Sequence, residues 1–189
     1  MSPPAPDPSL ANFDLAAAAE LVRAHIRDVP DFPVDGIIFK DITPVLSSHE
    51  ALAAAIRAMT APFAGANIQK VVGIEARGFI FGAAAADLLG CGFVPVRKPG
   101  KLPWRTTSIS YELEYGTDTL EIHQDAASPG ERVLVIDDLL ATGGTMEAAC
   151  RLLTGMGAEI VGCSFLIELG FLKGRDRLAP HPCYSLITY

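Results

Sequence analysis

The sequence has no long apolar run and no closely spaced cysteines, and each absence excludes a class of protein. No stretch approaches the ~20 apolar residues of a membrane span. The opening MSPPAPDPS lacks the basic and apolar regions of a secretion signal, so we expect neither export nor a membrane partner. The four cysteines lack C-x-x-C spacing and the four histidines share no ligand spacing, so no disulfide framework and no protein metal site is expected. Reduced thiols indicate a cytoplasmic protein.

Positive charge is also scarce, but it is concentrated in one segment. The formal net charge of -7 argues against a nucleic-acid partner, because affinity for phosphate backbones comes chiefly from clustered lysine and arginine. Between Asp87 and Glu112, however, there is no acidic residue. The basic residues of this segment are Arg97, Lys98, Lys101 and Arg105. This patch suits a polyanionic small substrate, since local potential steers a ligand. A solvated loop with chance clustering is the alternative.

The order of predicted elements indicates an α/β fold. Four prolines within the first eight residues predict a disordered leader over 1–12, and the length of the remainder predicts a single domain over 13–189. Apolar periodicity predicts helices over 14–27, 50–59, 79–89 and 146–155, strands over 70–74, 93–96, 132–136 and 160–168, and shorter extended pieces over 37–39, 108–113 and 119–122. Such alternation predicts a parallel sheet flanked by helices, with ligands bound at the carboxyl ends of the strands.

The segment VLVIDDLLATGGT, residues 133–145, combines features that suit a phosphorylated sugar. Its apolar start reads as a buried strand, and the helix after it offers unpaired N–H groups and a positive dipole end to an anion. Gly143 and Gly144 let the backbone approach a phosphate, while Thr142 and Thr145 add hydroxyl donors. The adjacent carboxylates of residues 137 and 138 would accept hydrogen bonds from ribose hydroxyls. The alternative is a strand–helix turn with glycines needed only for packing.

DDLLATGGT resembles the phosphoribosyl-diphosphate (PRPP) signature of the type I phosphoribosyltransferases, in the variant of the members that act on adenine. The resemblance extends from about residue 30 to residue 189 through DFPVDGIIFKDITPVL, GIEARGFIFG, VRKPGKLP and YELEYG. It implies a parallel sheet with a small N-terminal hood and a mobile closing loop. It also implies transfer of ribose 5-phosphate from PRPP to adenine with loss of diphosphate, Mg²⁺ bound mainly through PRPP, and a homodimer.

The resemblance also assigns the PRPP site. Arg77 follows a strand in a tight turn and is expected to hold the leaving diphosphate, next to a cis peptide at Glu75–Ala76. Lys98 and Lys101 belong to the closing loop, which would exclude water and bring cations to the diphosphate. The full set expected to bind PRPP or AMP is Arg77, Lys98, Lys101, Tyr115, Asp137, Asp138, Ala141, Thr142, Gly143, Gly144 and Thr145.

For the base, the resemblance sets adenine against Phe39 and Leu139, with backbone groups around Ile38 and Lys40 reading its edge. Relatives commonly have arginine where this chain has Lys40, and a lysine there is typical of enzymes that act on 6-oxopurines. A phosphoribosyltransferase for xanthine or hypoxanthine is therefore one alternative, and a non-catalytic regulator that senses PRPP is another.

Proton transfer to or from the base is assigned to Glu114, and with Arg77 it makes up the expected catalytic set. Formation of the new N-glycosidic bond acidifies the purine ring, so a carboxylate within reach would act as general acid or base. Glu112 and Glu121 lie nearby in the sequence and remain alternatives.

Overall fold

The structure, a computed structural model, describes residues 6–112 and 116–189. Within these residues the elements are, in order, α1 (Leu15–His25), β1 (Arg27–Pro30), β2 (Ile38–Asp41), α2 (Thr43–Ser47), α3 (His49–Thr60), β3 (Lys70–Ile74), α4 (Gly78–Leu89), β4 (Gly92–Val96), β5 (Thr106–Glu112), β6 (Thr117–His123), β7 (Arg132–Leu140), α5 (Gly144–Gly155), β8 (Glu159–Glu168) and β9 (Cys183–Thr188). Short 3₁₀ turns occur at Pro8–Leu10, Ala61–Phe63, Gly170–Leu172 and Gly174–Leu178.

A five-stranded parallel sheet in the order β4-β3-β7-β8-β9 forms the centre, which confirms the predicted fold class. Helices α1, α3 and α4 pack on one face, and α5 with the β5–β6 hairpin packs on the other. The central position of β7 in the sheet explains why residues 133–136 are all apolar. Val133 and Val135 point to the α5 face, Leu134 and Ile136 point to the opposite face, and all four are fully buried.

β7 is longer than predicted. It continues to Leu140 because its pairing with β8 continues through Leu140 and Glu168. Asp137 and Asp138 therefore lie on a strand end rather than in a loop, and α5 begins at Gly144, before the predicted start at residue 146. The loop between β7 and α5, predicted to bind phosphate, is thus shorter than the sequence indicated.

β1 and β2 pair as an antiparallel hairpin that contacts the carboxyl end of the sheet and forms the hood. The first helix ends at His25, earlier than predicted, because Arg27 begins β1 and pairs with Asp41 at 2.6 Å. The predicted N-cap of that helix is confirmed, since Asp14 Oδ1 accepts the Ala17 N–H at 3.0 Å.

Residues 7–10, which belong to the predicted leader, contact the rest of the domain. The Asp7 N–H donates to the Leu88 carbonyl at 2.8 Å, and Leu10 is buried in the core. One apolar side chain among the prolines therefore anchors this segment. Strand β9, at the sheet edge, was not among the predicted strands.

The β5–β6 hairpin confirms the two strand-like stretches, although residues 113–115 between them fall outside the described part of the chain. Among the described residues, no helix combines the length and apolar character needed to cross a membrane.

Candidate active site

A cavity of about 400 Å³ opens at the carboxyl ends of β3 and β7. Its lining includes the turn after β3, the end of β7, the loop into α5, and side chains from the β5–β6 hairpin. These residues are Glu75, Ala76, Arg77, Lys98, Tyr111, Asp118, Leu120 and 137–146. The structure thus brings together every described residue expected to bind PRPP except Lys101, which lies just outside the lining.

The loop of residues 141–145, predicted to bind phosphate and here called the phosphate loop, contains a glycine with a positive φ. Gly143 has φ 84°, a conformation that side chains disfavour, and precedes the first turn of α5. A Cβ at this position would lie 2.4 Å from the carbonyl oxygen of Gly174. Because Gly144, Thr145 and the following residue line the cavity, the positive end of α5 faces it.

The two carboxylates at the end of β7 have different surroundings. Asp138 is buried and forms an ion pair with Arg77, with Asp138 Oδ2 2.6 Å from Arg77 Nε. Burial raises the pKa of Asp137 well above its ordinary value, and the negative charge of Asp138 adds to this effect. Asp137 therefore favours the neutral form beside the ion pair of Asp138 with Arg77.

Arg77 lies where the sequence predicted, in the turn between β3 and α4. The Glu75–Ala76 peptide before it is cis, as expected. The guanidinium of Arg77 is engaged by the Asp138 carboxylate. Its side chain is half exposed at the cavity, so an incoming anion can reach it.

Three of the four basic side chains in the segment predicted as a positive patch pair with carboxylates from elsewhere in the chain. Lys98 pairs with Asp118, and Lys101 and Arg97 both pair with Glu75. Burial opposes ionisation of Glu75, but hydrogen bonds from Lys101, from the Lys98 N–H and from Arg97 lower its pKa to about 2. These carboxylates are remote in sequence from the basic segment, so the sequence alone did not indicate the ion pairs.

Tyr111 is a site residue that the sequence reasoning missed. Its hydroxyl lies 3.2 Å from Thr145 Oγ1 and 3.3 Å from Asp118 Oδ2. The side chain is buried and lines the cavity. The signal was present, since Tyr111 opens the YELEYG stretch, but sequence alone gave it no partner.

A second cavity, of about 70 Å³, lies under the hood. Its lining residues are Ile37, Ile38, Phe39, Lys40, Arg77, Asp138, Leu139, Ile167 and Leu169. The four residues expected to bind the base therefore do come together. Arg77, Asp138 and Leu139 line both cavities, so the cavity under the hood adjoins the main cavity.

Lys40 directs its ammonium group to other parts of the protein. Lys40 Nζ lies 2.7 Å from Asp28 Oδ1 and 4.1 Å from the centre of the Tyr189 ring. Asp28 is directly opposite on β1, so the strand register sets this pair. The charge of Lys40 is therefore satisfied without a ligand.

Glu114 and Tyr115 lie outside the described residues. The alternatives to Glu114 do not line the main cavity. Glu112 is exposed, and Glu121 Oε2 accepts the Gly100 N–H at 3.1 Å. Neither position favours a role in proton transfer.

Comparison with known proteins agrees with this geometry. The family model described as phosphoribosyl transferase domain matches residues 40–188. The chain is 53% identical to the adenine phosphoribosyltransferase of Myxococcus xanthus over 184 residues, which cover 97% of this chain and 98% of the relative.

Two solved structures are similar throughout. The adenine phosphoribosyltransferase from Rhodothermus marinus matches with a TM-score of 0.87 and 56% identity, covering 92% of this chain and 99% of that one. The Saccharomyces cerevisiae enzyme, solved with an imino-altritol bisphosphate and adenine, matches with a TM-score of 0.86 and 39% identity, covering 90% and 99%. On these matches, the chain belongs to the adenine phosphoribosyltransferases of the phosphoribosyltransferase family.

Proposed function

We infer that this chain transfers the 5-phosphoribosyl group of PRPP to adenine, giving AMP and diphosphate. The observation that carries this inference is the junction of the two cavities. An apolar space under the hood adjoins an anion-binding space at Arg77, Asp138 and Leu139, so a base and a sugar phosphate would meet there. Holding both reactants in one geometry supplies much of the rate enhancement of such a transfer.

In the proposed complex, the 5′-phosphate of PRPP binds residues 141–145 and accepts hydrogen bonds from the start of α5. The ribose hydroxyls donate to Asp137 and Asp138. The diphosphate of PRPP binds the side chains of Arg77, Lys98 and Lys101. Each of these cations has a carboxylate partner in the free protein, so PRPP would exchange one anion for another rather than meet bare charges.

Adenine is proposed to lie against Phe39 and Leu139, with its edge read by backbone groups of Ile38 and Lys40. The contacts of the Lys40 ammonium group with Asp28 and Tyr189 support adenine over a 6-oxopurine. A lysine that already has partners is a poor donor to an oxo group at the base. Glu114 is proposed to act as the general acid or base that transfers a proton to or from the purine ring.

Mg²⁺ is proposed to enter with PRPP, held mainly by its oxygens. The carboxylates of the cavity are assigned to ribose or paired with cations, so they would contact Mg²⁺ mainly through water, which this ion retains when it binds phosphates. When bound, Mg²⁺ would neutralise part of the charge on the departing diphosphate.

The proposal also includes a homodimer and a cytoplasmic location. Family resemblance supports the first, and the free thiols of all four cysteines support the second.

Incubation with PRPP, Mg²⁺ and a panel of adenine, hypoxanthine and xanthine, followed by chromatography, tests the proposal. AMP should form from adenine at a much higher kcat/KM than the other nucleotides form. Preferred use of hypoxanthine or xanthine would overturn the choice of base. Binding of PRPP without any nucleotide product would favour the regulator.

A further inference from the structure

An ionic cluster near the phosphate loop joins the end of β8 and the start of β9 to the turn that follows β8. Glu168 ends β8 and is only 6% exposed. Arg175 Nε donates to Glu168 Oε1 at 3.1 Å, and Arg175 Nη2 donates to the other carboxylate oxygen. Arg175 Nη1 donates to the Cys183 carbonyl at 2.6 Å, and Ser185 Oγ donates to Glu168 Oε2 at 2.6 Å. This two-point geometry fixes Arg175 in orientation as well as in distance.

The backbone beside Arg175 lies directly on the phosphate loop. A Cβ on Gly174 would be 2.1 Å from the Ala141 carbonyl oxygen and 2.9 Å from the Gly143 nitrogen. A Cβ on Gly143 would meet the Gly174 oxygen at 2.4 Å. Main chain therefore touches main chain with no room for a side chain, so the position of Gly174 restricts the conformation of the loop.

The cluster is built to stay charged. The hydrogen bonds from Arg175 lower the pKa of Glu168, although burial acts against them, and Ser185 lowers it further. Removing Arg175 would leave the buried carboxylate of Glu168 unpaired, which costs more than an exposed ion pair contributes. The contacts of Arg175 with Glu168 and with the Cys183 carbonyl therefore hold the turn that carries Gly174.

We propose that Arg175 is a positioning residue for PRPP binding. Arg175 keeps Gly174 in contact with Ala141 and Gly143, so that the phosphate loop is in its binding conformation before PRPP arrives. A loop rich in glycine loses much conformational freedom when it is ordered, and a loop ordered before binding spares the ligand that cost. The inference rests on the proposed assignment of residues 141–145 to the 5′-phosphate.

Arg175→Gln tests the inference, with Arg151→Gln as matched control because Arg151 is an exposed arginine on α5. Steady-state kinetics at a temperature well below each Tm would give KM for PRPP and for adenine, and calorimetry would give the Kd of AMP. We expect Arg175→Gln to raise the PRPP KM and the AMP Kd at least tenfold, with the adenine KM within twofold of the parent. Arg175→Lys, which keeps the charge without the two-point geometry, should give an intermediate increase.

A lowered Tm with an unchanged PRPP KM would overturn the inference, since Arg175 would then serve stability alone. If Arg175→Gln does not fold, the same measurements on Arg175→Lys decide, and a PRPP KM within twofold of the parent overturns it. Thr145→Val distinguishes failure of the Arg175 proposal from failure of the assignment of residues 141–145 to the 5′-phosphate. If Thr145→Val also leaves PRPP and AMP binding unchanged, the assignment itself is wrong.

Discussion

The adjacent carboxylates Asp137 and Asp138 should respond unequally to the same substitution. Asp138 Oδ2 is paired with Arg77 Nε at 2.6 Å, whereas burial and the neighbouring charge raise the pKa of Asp137. Asp138→Asn therefore removes a charged acceptor. Asp137→Asn resembles the neutral form that Asp137 already favours, so it should disturb the site less.

The magnitudes follow from the charge of each acceptor. A hydrogen bond to a charged group contributes ~1.5–3 kcal/mol, so Asp138→Asn should weaken AMP binding by about 10- to 150-fold. A hydrogen bond to a neutral group contributes ~0.5–1.5 kcal/mol, so Asp137→Asn should weaken it by less than about 12-fold. Calorimetry with AMP measures both, and circular dichroism checks that each variant is folded.

The pH dependence of stability provides a second measurement on Asp137. Its pKa is higher in the folded than in the unfolded chain, so its contribution to stability is fully present below the unfolded pKa of ~3.9 and is lost as pH rises through the folded pKa. Asp137→Asn has no proton to lose. Its free energy of unfolding, relative to the parent, should therefore rise as pH increases from about 4. Equal losses of affinity in the two variants, or a stability difference independent of pH, would refute the reasoning.

Three further predictions concern other parts of the site. Gly143→Ala should abolish detectable PRPP binding and lower stability by more than the ~1–3 kcal/mol of a strained φ, while Gly130→Ala, with φ 77° and nothing within 4 Å of its Cβ, should show the φ effect alone in urea unfolding. Lys40→Met should leave the ratio of adenine to hypoxanthine kcat/KM within about threefold of the parent, because the ammonium group is engaged away from the base; a large shift toward hypoxanthine or away from adenine would contradict this. Glu114→Leu should lower kcat by ~10²–10⁴-fold with PRPP binding retained, and Glu112→Leu should not; the opposite pattern would transfer the role to Glu112.

Local pattern predicted the central elements well. The β-branched run before Asp137 and the helical periodicity after Gly144 depend only on neighbours along the chain, so the strand, the loop and the helix were all recognised. The end of β7 was not, because the strand continues only as long as β8 offers partners. Pairing across a sheet is set by distant residues, which a local pattern does not contain.

The sequence by itself determined the class of fold, and glycine, threonine and paired aspartates at fixed spacing in a strand–loop–helix context were enough to predict an anion-binding loop. Only the tertiary structure decided which carboxylate meets which cation. Lys98 with Asp118 and Arg175 with Glu168 are pairs brought together by folding. The contact of Gly174 with Gly143 is likewise a meeting of two distant main-chain segments. Long-range contacts of this kind form only when the whole core is packed, and they give the site its electrostatics and the loop its fixed shape.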